Sequence, residues 1–526
     1  MRSARKKLIA RILAATVVLG LTATVGPLGA AAACPPPTAP MTFSEPTYVD
    51  ESRAGGEPSI VSLSDGTLLY GAHAGTTHFY APETPGEATP AFLLNYVGQT
   101  YYWWSGDHGN TWTYVPRTVP TNFPFTGFSD PDFAIDKAGN VYISEINLVN
   151  VAMSRSTDNG RSYTLQDAIA MTITDRQWSE ADEENVVYIV GNAIGGGNST
   201  EPVGHNGHIL AKSKDGGVSW SAPFADSGGL GDLQVDRSDG TLYEAHYESG
   251  TLSMAAFRKA RQDDLTPEMI TIADGVSMLS HWPSFDVDAK GNLYIVWDET
   301  GEGESKRAAG IWYSYSKDRA KTWAKPVRVD SGPETDMWPW LAVGDEGRVA
   351  IAWFGAEKEL PRHDSETSGE HGWHVFAAQT LDGLGCGTLP PNFRNAKAIT
   401  EAFHTGTVCA QGTVCQAQLI DRRLGDYFTI DIDSTGAMVA AYSDTRHDGA
   451  VALPAFIRQT GGPSFFAPAA ASPIANPIVK PAPKPVVKGT KQTPGLPATG
   501  LGGAGAQALL LIMLATGLGV WRRRHS

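Results

Sequence analysis

The sequence predicts an all-β fold built from a repeated unit, and three observations carry the prediction. The 526 residues include 57 Gly and 34 Pro, 9% are aromatic and only 18% are charged, a turn-rich balance that suits short strands better than surface helices. An apolar strand, an Asp/Gly turn and a second apolar strand recur between about residues 42 and 461. A second turn motif, Ser-x-Asp-x-Gly-x-Thr/Ser-aromatic, follows four of these units.

The first element reads SIVSLSDGTLLYGAH from Ser59, DFAIDKAGNVYISEI from Asp132, WSEADEENVVYIVGN from Trp178 and DLQVDRSDGTLYEAHY from Asp232. It continues as SFDVDAKGNLYIVWD from Ser284, WLAVGDEGRVAIAWF from Trp340 and FTIDIDSTGAMVAAYS from Phe428. The shared turn position is Gly66, Gly139, Asn185, Gly240, Gly291, Gly347 and Gly436. Gly, with Asn once, is what a left-handed backbone position demands, so each copy is expected to be a hairpin.

The second motif runs Ser105-Gly-Asp107-His-Gly109-Asn-Thr111-Trp112 and returns at Ser156 to Tyr163, at Ser213 to Trp220 and at Ser316 to Trp323, where Ala320 replaces the Gly. Its Asp is expected to accept hydrogen bonds from turn amides, its Gly to take a positive φ, and its aromatic ring to pack beneath. The motif resembles the Asp-box, or BNR repeat, of sialidases and related β-propellers, and the likeness spans most of residues 42–461. That resemblance implies a sialidase-like β-propeller of four-stranded blades, and a unit of about 50 residues fits one blade. Seven turn copies predict seven blades; six, the number in sialidases, is the alternative. Two long gaps between turns hold insertions, HFYAPETPGEATPAF and EKELPRHDSETSGEHGW. The early segment Met41 to Val49 is expected to pair with Val451 to Ile457 and close the ring, removing exposed sheet edges.

The two ends read as addresses. Residues 1–33 run from a basic stretch through an apolar one to small residues, a secretory signal with cleavage expected within Ala30 to Ala33. Leu496-Pro497-Ala498-Thr499-Gly500, an apolar run to Val520 and three Arg form a tail over 496–526. This resembles the LPXTG sorting signal of Gram-positive cell-wall proteins. The resemblance implies sortase cleavage between Thr499 and Gly500 and covalent transfer of Thr499 to peptidoglycan, with the apolar run only transiently in the membrane. Residues 462–495, rich in Pro and Ala, read as a disordered, extended spacer that holds the folded part, 34–461, clear of the wall. The protein is therefore expected outside the cell, on the surface.

The formal charge is −15, and both ends carry bases without acids, so the part between them is more acidic still. Such a field argues against nucleic acid and against anionic lipid. Four Cys are too few for a disulfide framework. Cys409 and Cys415 are expected to form a local disulfide outside the cell; Cys34 and Cys386 pair with each other or stay free.

Several patterns are set aside. The Asp residues of the four turn motifs are read as structural. Asp286-Val-Asp288 and Asp431-Ile-Asp433 resemble the start of a calcium loop but lack its later Glu. His205-x-x-His208 and His371-x-x-His374 do not share a face on strands. No metal and no cofactor is expected, and no nucleotide or hydrolase motif is present.

Propeller geometry points instead to the residues just before each blade's first strand, which converge on the central channel. These are Glu57, Asp130, Arg176, His281 with Trp282, Trp338, and Asp426 with Tyr427 and nearby Arg423; blade four offers Gly229 and Leu230. Carboxylates, Arg and Trp together suit a sugar, with rings stacking on its faces and charges bonding its hydroxyls. Arg176, His281, Trp282, Trp338 and Arg423 are the candidate ligand-binding residues. Asp130, Glu57, Asp426 and Tyr427 are the candidate catalytic ones, with Glu180 as a helper to a Tyr nucleophile. A working sialidase carries Arg before its first strand and an arginine triad for the sugar carboxylate. Here the strand opens Gly56-Glu57-Pro58, and Arg176, Arg422, Arg423 and Arg446 form no recognisable triad. The expected function is binding of an extracellular glycan or glycoprotein at the channel face. An exo-glycosidase and a structural wall scaffold are the alternatives.

Overall fold

The computed structural model describes residues 39–73, 100–116, 129–146, 150–172, 174–193, 208–221, 224–225, 231–278, 283–331, 335–356, 371–409, 421–447 and 451–466. Residues 1–38 and 467–526, which hold the expected signal, sorting tail and most of the expected spacer, lie outside them; the first residues of that expected spacer, 462–466, are described, and Phe465 is fully buried in the core rather than extended. The chain divides into two units, Met1–Pro36 and Pro37–Ser526, and every described residue belongs to the second. Among the described residues there is no α-helix, so none that could span a membrane, and one short 3₁₀ turn, Ala260–Gln262.

The strands form seven antiparallel sheets of four or five strands, and the protein is a seven-bladed β-propeller. The alternative of six blades is thereby excluded. The innermost strands are Gly56–Ser62, Ser129–Ile135, Thr174–Ala181, Leu233–Asp236, Ser284–Val287, Asp336–Val343 and Thr429–Ile432. Each touches the next around a ring, and the last touches the first. All seven turn residues that follow them have φ between 66° and 90°, as the Gly and Asn pattern requires.

The seventh blade takes its outer strands from the start of the domain. Thr42 pairs with Gly461 and Phe43 with Gln459, while Thr47 pairs with Phe456 and Tyr48 with Ala455. Ring closure by the expected early segment is therefore observed.

Both faces of each sheet are covered by neighbouring blades, which is why the second strands read as apolar runs rather than as alternation. Leu68–His73 and Leu293–Glu299 are buried at every position. Core clusters straddle blade boundaries: Ile60, Leu68 and Tyr70 of blade one pack with Val439, Ala441 and Phe456 of blade seven.

The four Ser-x-Asp turns are near-identical. In each, the Ser hydroxyl donates to one Asp oxygen at 2.7–2.9 Å, and the Thr or Ser four residues after the Asp donates its amide to the same oxygen at 2.9 Å and its hydroxyl to the other at 2.5–2.7 Å. These bonds outweigh burial and hold the four carboxyls below their usual range. The up-down order of strands places these turns at the end of the ring opposite to where the inner strands begin. Asp288 accepts the amides of Lys290 and Asn292, and Asp433 those of Thr435 and Ala437, so both are turn-formers rather than parts of a calcium loop.

Candidate functional site

The inner strands do not begin smoothly. Glu57, Asp130, Arg176 and Trp338 occupy the same position in four blades, with φ of 46°, 50°, 52° and 54°. Each sits where pairing with the neighbouring strand slips, between Gly56 and Ser59, Ser129 and Asp132, Asp175 and Trp178, and Met337 and Trp340. A bulge with a left-handed residue that is not Gly costs on the order of 1–2 kcal/mol. Its repetition in four blades makes it a constructed feature of the channel mouth.

Glu57 and Arg176 meet the loop 421–428. Glu57 accepts the Asp426 amide on Oε1 at 2.9 Å, and its Oε2 lies 2.8 Å from His73 Nε2. Arg422 grips Asp426 with both prongs, at 2.6 and 2.8 Å, and reaches Glu57 Oε1 at 3.5 Å. Burial opposes the Arg422 charge, but Asp426 outweighs it and holds the guanidinium above its usual range. Arg176 stands 3.6 Å from Asp426, and Ser129 donates its hydroxyl to Asp130 at 2.5 Å. Arg423 is closed on Asp421 at 2.7 Å, and Arg446 on Asp444 at 2.6 Å.

Beneath this polar layer the channel is crossed by aromatic rings. Trp178 of blade three meets Trp340 of blade six at 5.7 Å between ring centres, and Tyr427 of blade seven meets them at 5.3 and 6.1 Å. Blades three and six are not neighbours in the ring, so their contact spans it. Trp178 and Tyr427 are buried, whereas Trp340 keeps a partly exposed face. Burial, then the charges of Asp130 and Glu57, push the Tyr427 phenol far up, so it stays protonated. Its hydroxyl donates to Pro131 O at 3.5 Å. Its ring forms part of this aromatic floor.

Deeper still, carboxylates staple four of the blades to the next one in the ring. Asp132 accepts the Ser179 amide at 2.6 Å, Asp286 that of Val343 at 2.9 Å, and Asp431 that of Ser62 at 2.6 Å. Burial pushes all three up to about 7. Asp232 bonds the Phe285 amide in the same way and is raised by burial, as is Glu180 beside Arg237.

The structure thus gathers Glu57, Asp130, Arg176, Asp426 and Tyr427 at one mouth. Arg423 lies on the same loop but is held by Asp421. Trp338 is buried against Phe354, with ring centres 5.7 Å apart, and its face is taken up by the core. His281 and Trp282 lie outside the described residues, as do Gly229, Leu230, Thr499 and Gly500. Cys386 and Cys409 are both disulfide-bonded; Cys34 and Cys415 lie outside the described residues.

The sequence reading missed His73, Trp178 and Trp340 and gave Arg422 no role. A signal existed for the tryptophans: they open two repeat copies where others open with Ser59, Asp132 or Ser284. His73 ends a second strand, outside the pre-strand positions that the repeat singles out. With Glu57 and Asp130 it forms a group whose ligand-capable atoms all lie within 4.8 Å of one another.

No family model and no curated protein matches the chain. Among solved structures it is similar to a protein of unknown function from Dyadobacter fermentans, at 12% identity over 80% of this chain and 98% of that one, with a TM-score of 0.41. It is similar to an alpha-L-arabinofuranosidase from Fusarium graminearum, at 13% identity over 80% and 97%, with a TM-score of 0.39. It is also similar to the NanB sialidase of Streptococcus pneumoniae, at 11% identity over 80% and 70%, with a TM-score of 0.39.

Proposed function

We propose that this chain is a secreted, wall-anchored propeller that binds a neutral glycan, free or on a glycoprotein, at the mouth of its channel. The observation that carries the reading is the state of the arginines. Arg422, Arg423 and Arg446 are each closed on a carboxylate by two prongs, and Arg176 faces Asp426. A sugar carboxylate would have to displace an internal carboxylate from a buried pair, which is costly. A neutral sugar needs no such exchange. Its hydroxyls donate to Asp130, and a ring face rests on the exposed side of Trp340.

Glycan-array binding by the secreted chain tests this. Neutral glycans are expected to bind, sialylated caps to weaken binding, and Asp130→Asn and Trp340→Ala to lower it at least tenfold. Absence of binding, or binding indifferent to both substitutions, contradicts the reading and favours the scaffold. Anchoring is tested separately. Thr499→Ala should leave the chain extractable by detergent, whereas the natural sequence should need a muramidase for release.

One observation favours the exo-glycosidase as a second reading. Oxygen atoms of Glu57 and Asp130 lie within 4.8 Å of each other, close to the spacing of about 5–5.5 Å between carboxyl groups in retaining glycosidases. Release of the aryl group from neutral aryl glycosides, lost in Asp130→Asn, would support it; inactivity across the panel would remove it.

A further inference from the structure

We infer that the channel mouth holds a divalent cation between Glu57, His73 and Asp130. The inference deepens the reading of the mouth as a ligand site: the cation would meet the ligand's hydroxyls where a sialidase would use arginine.

Geometry comes first. One atom from each residue lies within 4.8 Å of the other two, which fits a single ion with bonds of about 2.1–2.4 Å. His73 Nε2 and Glu57 Oε2 are 2.8 Å apart, near the edge of about 3 Å between adjacent ligands of an octahedral ion with bonds of about 2.1 Å.

The ligands are also oriented from behind. Glu57 spends Oε1 on the Asp426 amide and Arg422, which turns Oε2 toward His73. Ser129 fixes Asp130 through Oδ1. Such outer contacts are the way metal sites hold their ligands. The left-handed backbone at Glu57 and Asp130 brings the two side chains together from adjacent blades.

Charge points the same way. Glu57 is 2% exposed and His73 is fully buried. At this mouth Glu57 and Asp426 lie beside Arg422, with Arg176 near Asp426 and the Asp130 carboxylate close to Glu57. A cation between Glu57 and Asp130 relieves the repulsion of two close carboxylates in a low-dielectric setting. One imidazole nitrogen with two carboxylate oxygens suits a borderline ion such as Mn²⁺ or Zn²⁺ better than an all-oxygen ion such as Ca²⁺. Three protein ligands leave coordination positions for water or a sugar hydroxyl.

The test uses the full chain stripped with chelator and titrated with Mn²⁺, followed by electron paramagnetic resonance. One saturable site is expected, displaced by Zn²⁺, with nitrogen coupling from one imidazole. Asp130→Asn should weaken binding at least about tenfold, and His73→Gln should also abolish the nitrogen coupling. Asp263→Asn, at a surface pair with Lys212 and Lys214, should change nothing. Because His73 is buried, its variant is read only where circular dichroism matches the natural chain; Asp130→Asn decides otherwise. No saturable site, or a site unchanged in Asp130→Asn, overturns the inference. The titration contains no glycan, so its failure leaves the glycan reading intact. Equal glycan binding by stripped and loaded protein overturns the cation's part in recognition alone.

Discussion

At the scale of single residues, the channel separates two kinds of carboxylate. Those at the mouth are paired with arginine or oriented by donors, and those deeper in the ring bridge blade to blade. The deep ones carry a pH signature. Asp286 is ordinarily ionised above about 4, yet in the fold burial pushes it up to about 7. Between these values the folded state holds a proton that the unfolded chain has lost, so the contribution of Asp286 to stability falls as pH rises from about 4 to about 7. Asp286→Asn keeps an oxygen for the Val343 amide and removes the charge. Thermal melts from pH 4 to pH 8 should show the variant gaining relative to the natural chain as pH rises; a gap that stays constant would contradict this. These roles were only partly legible in the sequence. The repeat fixed Glu57, Asp130 and Arg176 as converging positions because strand starts are counted from the turn. Which arginine takes which carboxylate depends on residues 421–425, which lie ahead of the last repeat copy.

At the scale of elements, the hairpin turns were the most legible part, because their signal is local: a positive φ needs Gly, and the Asp sits two residues after the Ser. The four motif turns make a quantitative comparison. A Cβ on Gly109 would lie 2.3 Å from the Phe456 ring, at a φ of 82°. Gly109→Ala should cost about 2 kcal/mol or more, from backbone strain and overpacking together. Ala320 already holds φ 62° with its methyl fully buried. Ala320→Gly relieves about 1 kcal/mol of strain and loses about 0.8 kcal/mol of methyl burial, so urea melts should show almost no change. A large loss in Ala320→Gly, or none in Gly109→Ala, would mean that these turns are not fixed as described. The outermost strands were less legible. Thr113–Tyr114 and Val327–Arg328 are two residues long, too short for alternation to register.

At the scale of the whole molecule, closure follows from one long-range pairing, in which the start of the domain completes the last blade. The sequence indicated this because an unpaired edge would otherwise remain on each side of the ring. What no local pattern reported is that Trp178, Trp340 and Tyr427 close the channel from three blades; contact across a ring depends on its radius and on blade number. That aromatic floor, the carboxylates above it and the occupied arginines are the features on which we propose a neutral-sugar site rather than one for an anionic sugar. The most direct measurement is binding of paired glycans, identical but for a terminal sialic acid, to the secreted full chain and to Trp340→Ala. The neutral member should bind, its sialylated partner should bind more weakly, and Trp340→Ala should lose both. Preference for the sialylated member, or full binding by Trp340→Ala, would contradict a neutral-glycan site at the channel mouth.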